Sequence, residues 1–163
     1  MSRSVLLLRA VNVSGRNRVP MAELRDALTE AGELREVSTY IASGNIVCEH
    51  PSDPVAACAT ARAVIADEFG VDTPVILRTH GELVEAVGAC PFGDASEKML
   101  HAMFLEGEPA AGAVAALQER LVAGERIALV GQDLWIDYGD SGVQGTKLTK
   151  AVRGRECQVR IPG

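Results

Sequence analysis

Glu36-Val37-Ser38-Thr39-Tyr40-Ile41-Ala42, then Ser43-Gly44-Asn45, then Ile46-Val47-Cys48-Glu49-His50 is the stretch that decides the fold. Two runs rich in β-branched and apolar residues flank a short polar segment with a central glycine. That pattern reads as a strand, a tight turn and its hairpin partner. Upstream, Ser4 to Val13 is apolar and branched with Arg9 and Asn12 embedded, and reads as a central strand. Ser14-Gly15-Arg16-Asn17-Arg18 is polar and carries a glycine, hence a loop. Pro20 suits the first turn of a helix, in which Met21, Leu24 and Leu28 share one face and Glu23, Asp26 and Glu30 the other. Gly32 ends it. Downstream, Asp53 before Pro54 is an N-cap signature, and an Ala-rich helix runs to about Phe69 and stops at Gly70. Thr73 to Thr79 is a further strand.

The hairpin therefore sits between two helices, and the order is β-α-β-β-α-β. That string favours an antiparallel sheet with both helices on one face, a ferredoxin-like plait. The second half partly repeats it. Gly81 to Gly88 is a short helix and Cys90-Pro91-Phe92-Gly93 a loop. Met99 to Glu106 is a strand and Ala111 to Ala123 a helix. Arg126 to Val130 and Leu134 to Tyr138 form a hairpin through Gly131-Gln132-Asp133, and a short helix follows Thr146. The expected fold class is α+β, with two ferredoxin-like halves, residues 1–80 and 81–163. The second half is incomplete, one strand short of a full copy.

The strand order 4-1-3-2 usual for such a plait makes strands 1 and 3 antiparallel neighbours. The strand 2–3 turn then lies at the same sheet end as the loop leaving strand 1. Arg9, Asn12, Ser14, Gly15, Arg16 and Asn17 should meet Ser43, Gly44 and Asn45 there. The first helix starts near that end, and its free N–H groups and positive dipole end favour an anion. Gly15 lets backbone approach a ligand, and Arg16 offers a bidentate fork to phosphate or carboxylate. The bland alternative is a solvated loop whose Asn side chains hold turns. Arg9 shares the parity of Val5, Leu7 and Val11, so its charge needs a structural partner or a pocket.

Composition bounds these readings. Apolar residues make up 47% of the 163 and charged residues 23%, which is ordinary for a globular chain. Sixteen Lys and Arg against 22 Asp and Glu give a net charge of −6, which argues against a nucleic-acid or anionic-membrane partner. An RNA-recognition module shares the element order but stacks bases on aromatics in strands 1 and 3, and those strands carry none here. The apolar run Val5 to Leu8 is interrupted by Arg9, too short for a secretory signal, so the expected location is cytoplasmic. Cys48, Cys58, Cys90 and Cys157 lack C-x-x-C spacing and the three histidines are scattered, so no metal and no cofactor is expected.

Several stretches carry a resemblance. Leu7-Leu8-Arg9-Ala10-Val11-Asn12-Val13, Gly15-Arg16-Asn17 and Val19-Pro20-Met21-Ala22-Glu23-Leu24-Arg25 form one block. Tyr40-Ile41-Ala42-Ser43-Gly44-Asn45-Ile46-Val47 forms a second. Weaker stretches are Pro91-Phe92, His101 to Leu105 and Gly145-Thr146-Lys147-Leu148-Thr149. Together they resemble the uncharacterised DUF1697 family. The resemblance implies a small bacterial α+β protein of two ferredoxin-like halves. It also implies polar signature positions at Arg9, Asn12, Gly15, Asn17, Ser43, Gly44, Asn45 and Lys147. The chain departs from the family pattern twice. Ala10 stands where glycine is usual, and the usual Arg-Asn-Trp segment is not apparent after Arg153-Gly154-Arg155.

The function expected is binding of a small anionic, phosphate- or carboxylate-bearing ligand at the loop after strand 1. No residue is given a catalytic role. One alternative is a non-catalytic interaction module or homodimer that pairs through the open sheet edge of the incomplete half. Another is an acylphosphatase-like hydrolase in which Arg16 and backbone N–H groups stabilise transition-state charge and Asn45 positions a water.

Overall fold

In the computed structural model, residues 2–13, 15–42, 44–148 and 156–160 are described. The chain divides into two compact units, residues 1–85 and 86–163. The first contains β1 (Arg3–Leu8), α1 (Met21–Ala31), β2 (Ser38–Tyr40), β3 (Asn45–Glu49), α2 (Pro54–Phe69) and β4 (Val75–Thr79), and α3 (His80–Gly88) spans the boundary. Its sheet order is β2-β3-β1-β4, and β1 is antiparallel to both neighbours, as the β-α-β-β-α-β string implies.

Alternation along β1 decides where the core sits. Leu6 and Leu8 join Ile46 and Cys48 of β3 beneath Leu24 and Leu28 of α1 and Ala57, Ala61 and Ile65 of α2. Leu24 and Leu28 are one helical turn apart, and so are Ala57, Ala61 and Ile65, so each helix turns one stripe to the sheet. Asp53 caps α2 by accepting a hydrogen bond from the Ala56 N–H at 3.0 Å, and left-handed Gly32 and Gly70 close the two helices.

The first strand is shorter than its apolar run predicts. It stops at Leu8, because Ala10 and Asn12 take φ of 52° and 54° and turn the chain away. Val11 consequently packs with Leu8 in the helix-side core, and the parity that grouped Arg9 with Leu7 and Val11 ends at Leu8. Pro74 lacks an N–H for the next ladder position. There the buried Thr73 hydroxyl accepts from the Arg9 N–H at 3.0 Å and donates to the Arg9 carbonyl at 2.9 Å.

The second unit contains β5 (Leu100–Leu105), α4 (Ala113–Gln118), β6 (Arg126–Val130), β7 (Asp133–Asp137), α5 (Gly142–Gly145) and β8 (Glu156–Arg160). Its sheet order is β6-β7-β5-β8, the same order as in the first unit. The expectation of an incomplete second half is therefore overturned. β8 runs antiparallel to β5, from His101 opposite Arg160 to Leu105 opposite Glu156, and supplies the fourth strand. One smaller correction concerns a helix. α4 covers only Ala113–Gln118 of the Ala111–Ala123 stretch. Leu148 is helical, and the rest of the short helix expected after Thr146 lies outside the described residues. Met103, Leu105, Leu134, Ile136, Tyr138 and Leu148 form this unit's core with Leu117 and Leu121 packed against it.

Candidate functional site

The loop between β1 and α1 is held by its own amides. Asn12 is the clamp. Its Nδ2 donates to the carbonyls of Val19 and Ala42, each at 2.8 Å, and its Oδ1 accepts from the Val19 N–H at 2.8 Å. The Asn12 N–H donates to the Asn17 carbonyl at 3.0 Å, and Asn17 Nδ2 reaches back to the Ala10 carbonyl at 3.0 Å. A tight turn follows, with the Arg16 N–H on the Val13 carbonyl at 2.9 Å. The Asn12–Ala42 bond ties this loop to the β2–β3 turn, and the Leu8 N–H donates to the Gly44 carbonyl at 3.2 Å. The two loops predicted to converge at this sheet end do so.

Gly44 is required there. Its φ is +95°, and a Cβ would lie 2.5 Å from Val11 Cγ2 and 3.0 Å from Leu8 Cβ. No other residue type fits that approach without moving the β1 core. The same two loops hold Ala10, Asn12, Asn17 and Ile41, four non-glycine residues with positive φ. Such concentrated strain persists only where surrounding bonds fix the backbone.

The predicted residues separate into kinds. Asn12 and Asn17 spend their amides on backbone groups. Arg9 is half-buried and its backbone is held by Thr73. Gly15 is exposed with open space around it, and Asn45 begins β3 opposite Leu7. Arg16 and its neighbour Arg18 are exposed, and neither guanidinium has a partner among the described residues. Ser14 and Ser43 lie outside the described residues. Lys147 is exposed and lies in the second unit.

Immediately beyond the loop, α1 begins after Pro20 with no side-chain cap. The Val19 N–H is taken by Asn12, and the first full helical bond is from the Leu24 N–H to the Pro20 carbonyl at 2.9 Å. The first-turn N–H groups follow Arg16 and Arg18 closely in the chain and have no side-chain cap, with Glu23 the acidic residue of that turn.

Two polar groupings escaped the sequence reading. Arg126 grips the buried Asp137 at 2.7 and 3.0 Å and Asp94 at 3.1 Å, with its guanidinium 4.6 Å above the Phe92 ring. Hydrogen bonds from Arg126 hold the Asp94 carboxyl below the usual carboxylate range. A hairpin turn of three residues would set Arg126 opposite Tyr138, whereas the observed turn sets it opposite Asp137. That one-residue difference in register concealed the pair. In the first unit, Ser4 Oγ and His50 Nδ1 lie 2.7 Å apart. Register places Ser4 opposite Cys48, so His50 is its diagonal neighbour, a signal available once the hairpin is paired. Among the described residues, no group of three or more His, Cys, Asp or Glu is placed to hold a metal ion, and no helix is long and apolar enough to cross a membrane.

Comparison with known proteins gives a family and a fold. The model of DUF1697, described as a protein of unknown function, matches residues 1–135. Among solved structures, the chain is similar to the conserved bacterial protein SP0830 from Streptococcus pneumoniae. The identity is 23%, the TM-score 0.77, and the match covers 98% of this chain and 92% of that one. No curated protein matches the chain.

Proposed function

The chain belongs to the DUF1697 family, whose function is unknown, so its role has to be read from its own site, and we propose that it binds a small anionic ligand at the β1–α1 loop. One observation carries this reading. The uncapped N-terminus of α1 closely follows, in the chain, two exposed arginines that have no partner among the described residues. Uncapped N–H groups and guanidinium forks both suit phosphate or carboxylate oxygens. Asn12, Asn17 and Gly44 act beneath them as the frame. They fix the loop so that binding need not order it. Arg16 is the contact residue. Arg18 supplies a second charge, and the first-turn N–H groups of α1 supply the neutral donors.

A thermal-shift screen of the full chain against inorganic phosphate, nucleotides, acyl phosphates and carboxylates tests this, with Arg16→Ala alongside. A ligand at about 100 times its Kd adds roughly 2.7 kcal/mol to stability. The reading requires a shift in the wild type that Arg16→Ala reduces or removes. A shift equal in both proteins would put the ligand elsewhere.

A further inference from the structure

At the opposite end of the first sheet lies a cleft of about 340 Å³, lined by Gly32, Glu33, Arg35, Glu49, His50, Pro51 and Ser52. It is small for a ligand site, so its occupant is small. The backbone around it is fixed: the Glu49 N–H donates to the Arg35 carbonyl at 3.0 Å, and the His50 N–H to the Ser2 carbonyl at 2.9 Å. Ser4 is buried, and its hydroxyl has the His50 ring as its hydrogen-bond partner. That hydrogen bond holds the His50 ring in one orientation and leaves Nε2 as its remaining polar atom.

The cleft has charges of both signs that do not satisfy one another. Glu33, Glu49 and Arg35 all line it, yet no ion pair joins them among the described residues. Glu33 stands just past the carbonyl end of α1, whose last turn has no basic residue. A carboxylate there adds negative charge to the negative end of the helix dipole, a place that favours a cation. Arg35 supplies donors in the same cleft, and His50 supplies Nε2, a donor when it carries the proton. We propose that this cleft binds a small zwitterion of the amino-acid or dipeptide class. The ligand's ammonium goes to Glu33, Glu49 and the end of α1, and its carboxylate to Arg35 and His50. The site is separate from the β1–α1 loop and does not depend on the anion reading.

NMR titration of the full chain tests it, with glycylglycine as the probe. The reporter is the His50 Cε1–H signal, assigned as the one of three imidazole signals that His50→Gln removes. Glycylglycine should move that signal saturably. N-acetylglycylglycine lacks the ammonium and glycylglycinamide lacks the carboxylate, so each should bind about tenfold or more weakly. Arg35→Ala, an exposed substitution, should abolish the preference for glycylglycine over its amide. Arg16→Ala should leave the titration unchanged, which keeps this result distinct from the loop site. No saturable movement with glycylglycine, or equal responses to all three compounds, would overturn the proposal.

Discussion

Ala10 shows how much one backbone angle explains. It holds φ of 52° immediately after β1, a conformation that costs a residue with a Cβ about 1–2 kcal/mol. Glycine adopts such an angle without the Cβ penalty. Ala10→Gly relieves that strain and gives back roughly 0.5–1 kcal/mol through the entropy of the unfolded chain. The expected outcome is a net gain of about 0.5–1 kcal/mol, read as a higher urea midpoint. Asn12→Ala goes the other way. It removes three hydrogen bonds at 2.8 Å that join the loop to Val19 and Ala42. At about 1 kcal/mol each, the loss should be about 3 kcal/mol in equilibrium unfolding. These asparagines illustrate the limit of composition. The polar character of the stretch was legible, but whether an amide faces ligand or backbone depends on φ, and nothing in residue type announces φ of 54° at Asn12.

At the scale of elements, the β2–β3 hairpin and the two helices were readable because their punctuation is local. Asp53-Pro54 starts α2, and Gly32 and Gly70 end the helices where expected. The end of β1 was not readable, because the apolar run continues to Val11 while the pairing stops at Leu8. β3 makes a prediction of its own. Cys48 is fully buried beneath the helices, and burial pushes its thiol up to about 11, with Arg3 opposing and Cys58 adding. An unfolded thiol ionises near 9.0, so ionisation favours the unfolded state above that pH. Its stabilising effect is therefore complete below pH 9.0 and is lost as pH rises towards about 11. The loss is on the order of 2–3 kcal/mol. Urea unfolding across that range should show the decline, and Cys48→Ala should flatten it.

For the whole molecule, two four-stranded antiparallel sheets of the same order were legible only in part. The first follows from element order. The second was expected to be one strand short, and its last strand, β8, is a run of only five residues. The alternation in Glu156-Cys157-Gln158-Val159-Arg160 was the available signal. With β8 paired to β5, an incomplete half no longer argues for an open-edge partner. The net charge of −6 is likewise a property of the whole that hides a local one. Arg3, Arg9, Arg16 and Arg18 all precede the first acidic residue, Glu23. The most direct test is a ¹H–¹⁵N titration of the full chain with inorganic phosphate at constant ionic strength, repeated on Arg16→Ala. Saturable shifts centred on the amides of Gly15, Arg16 and the first turn of α1, absent in the variant, are the predicted result. Linear shifts spread over the surface, or the same saturable pattern in both proteins, would contradict it.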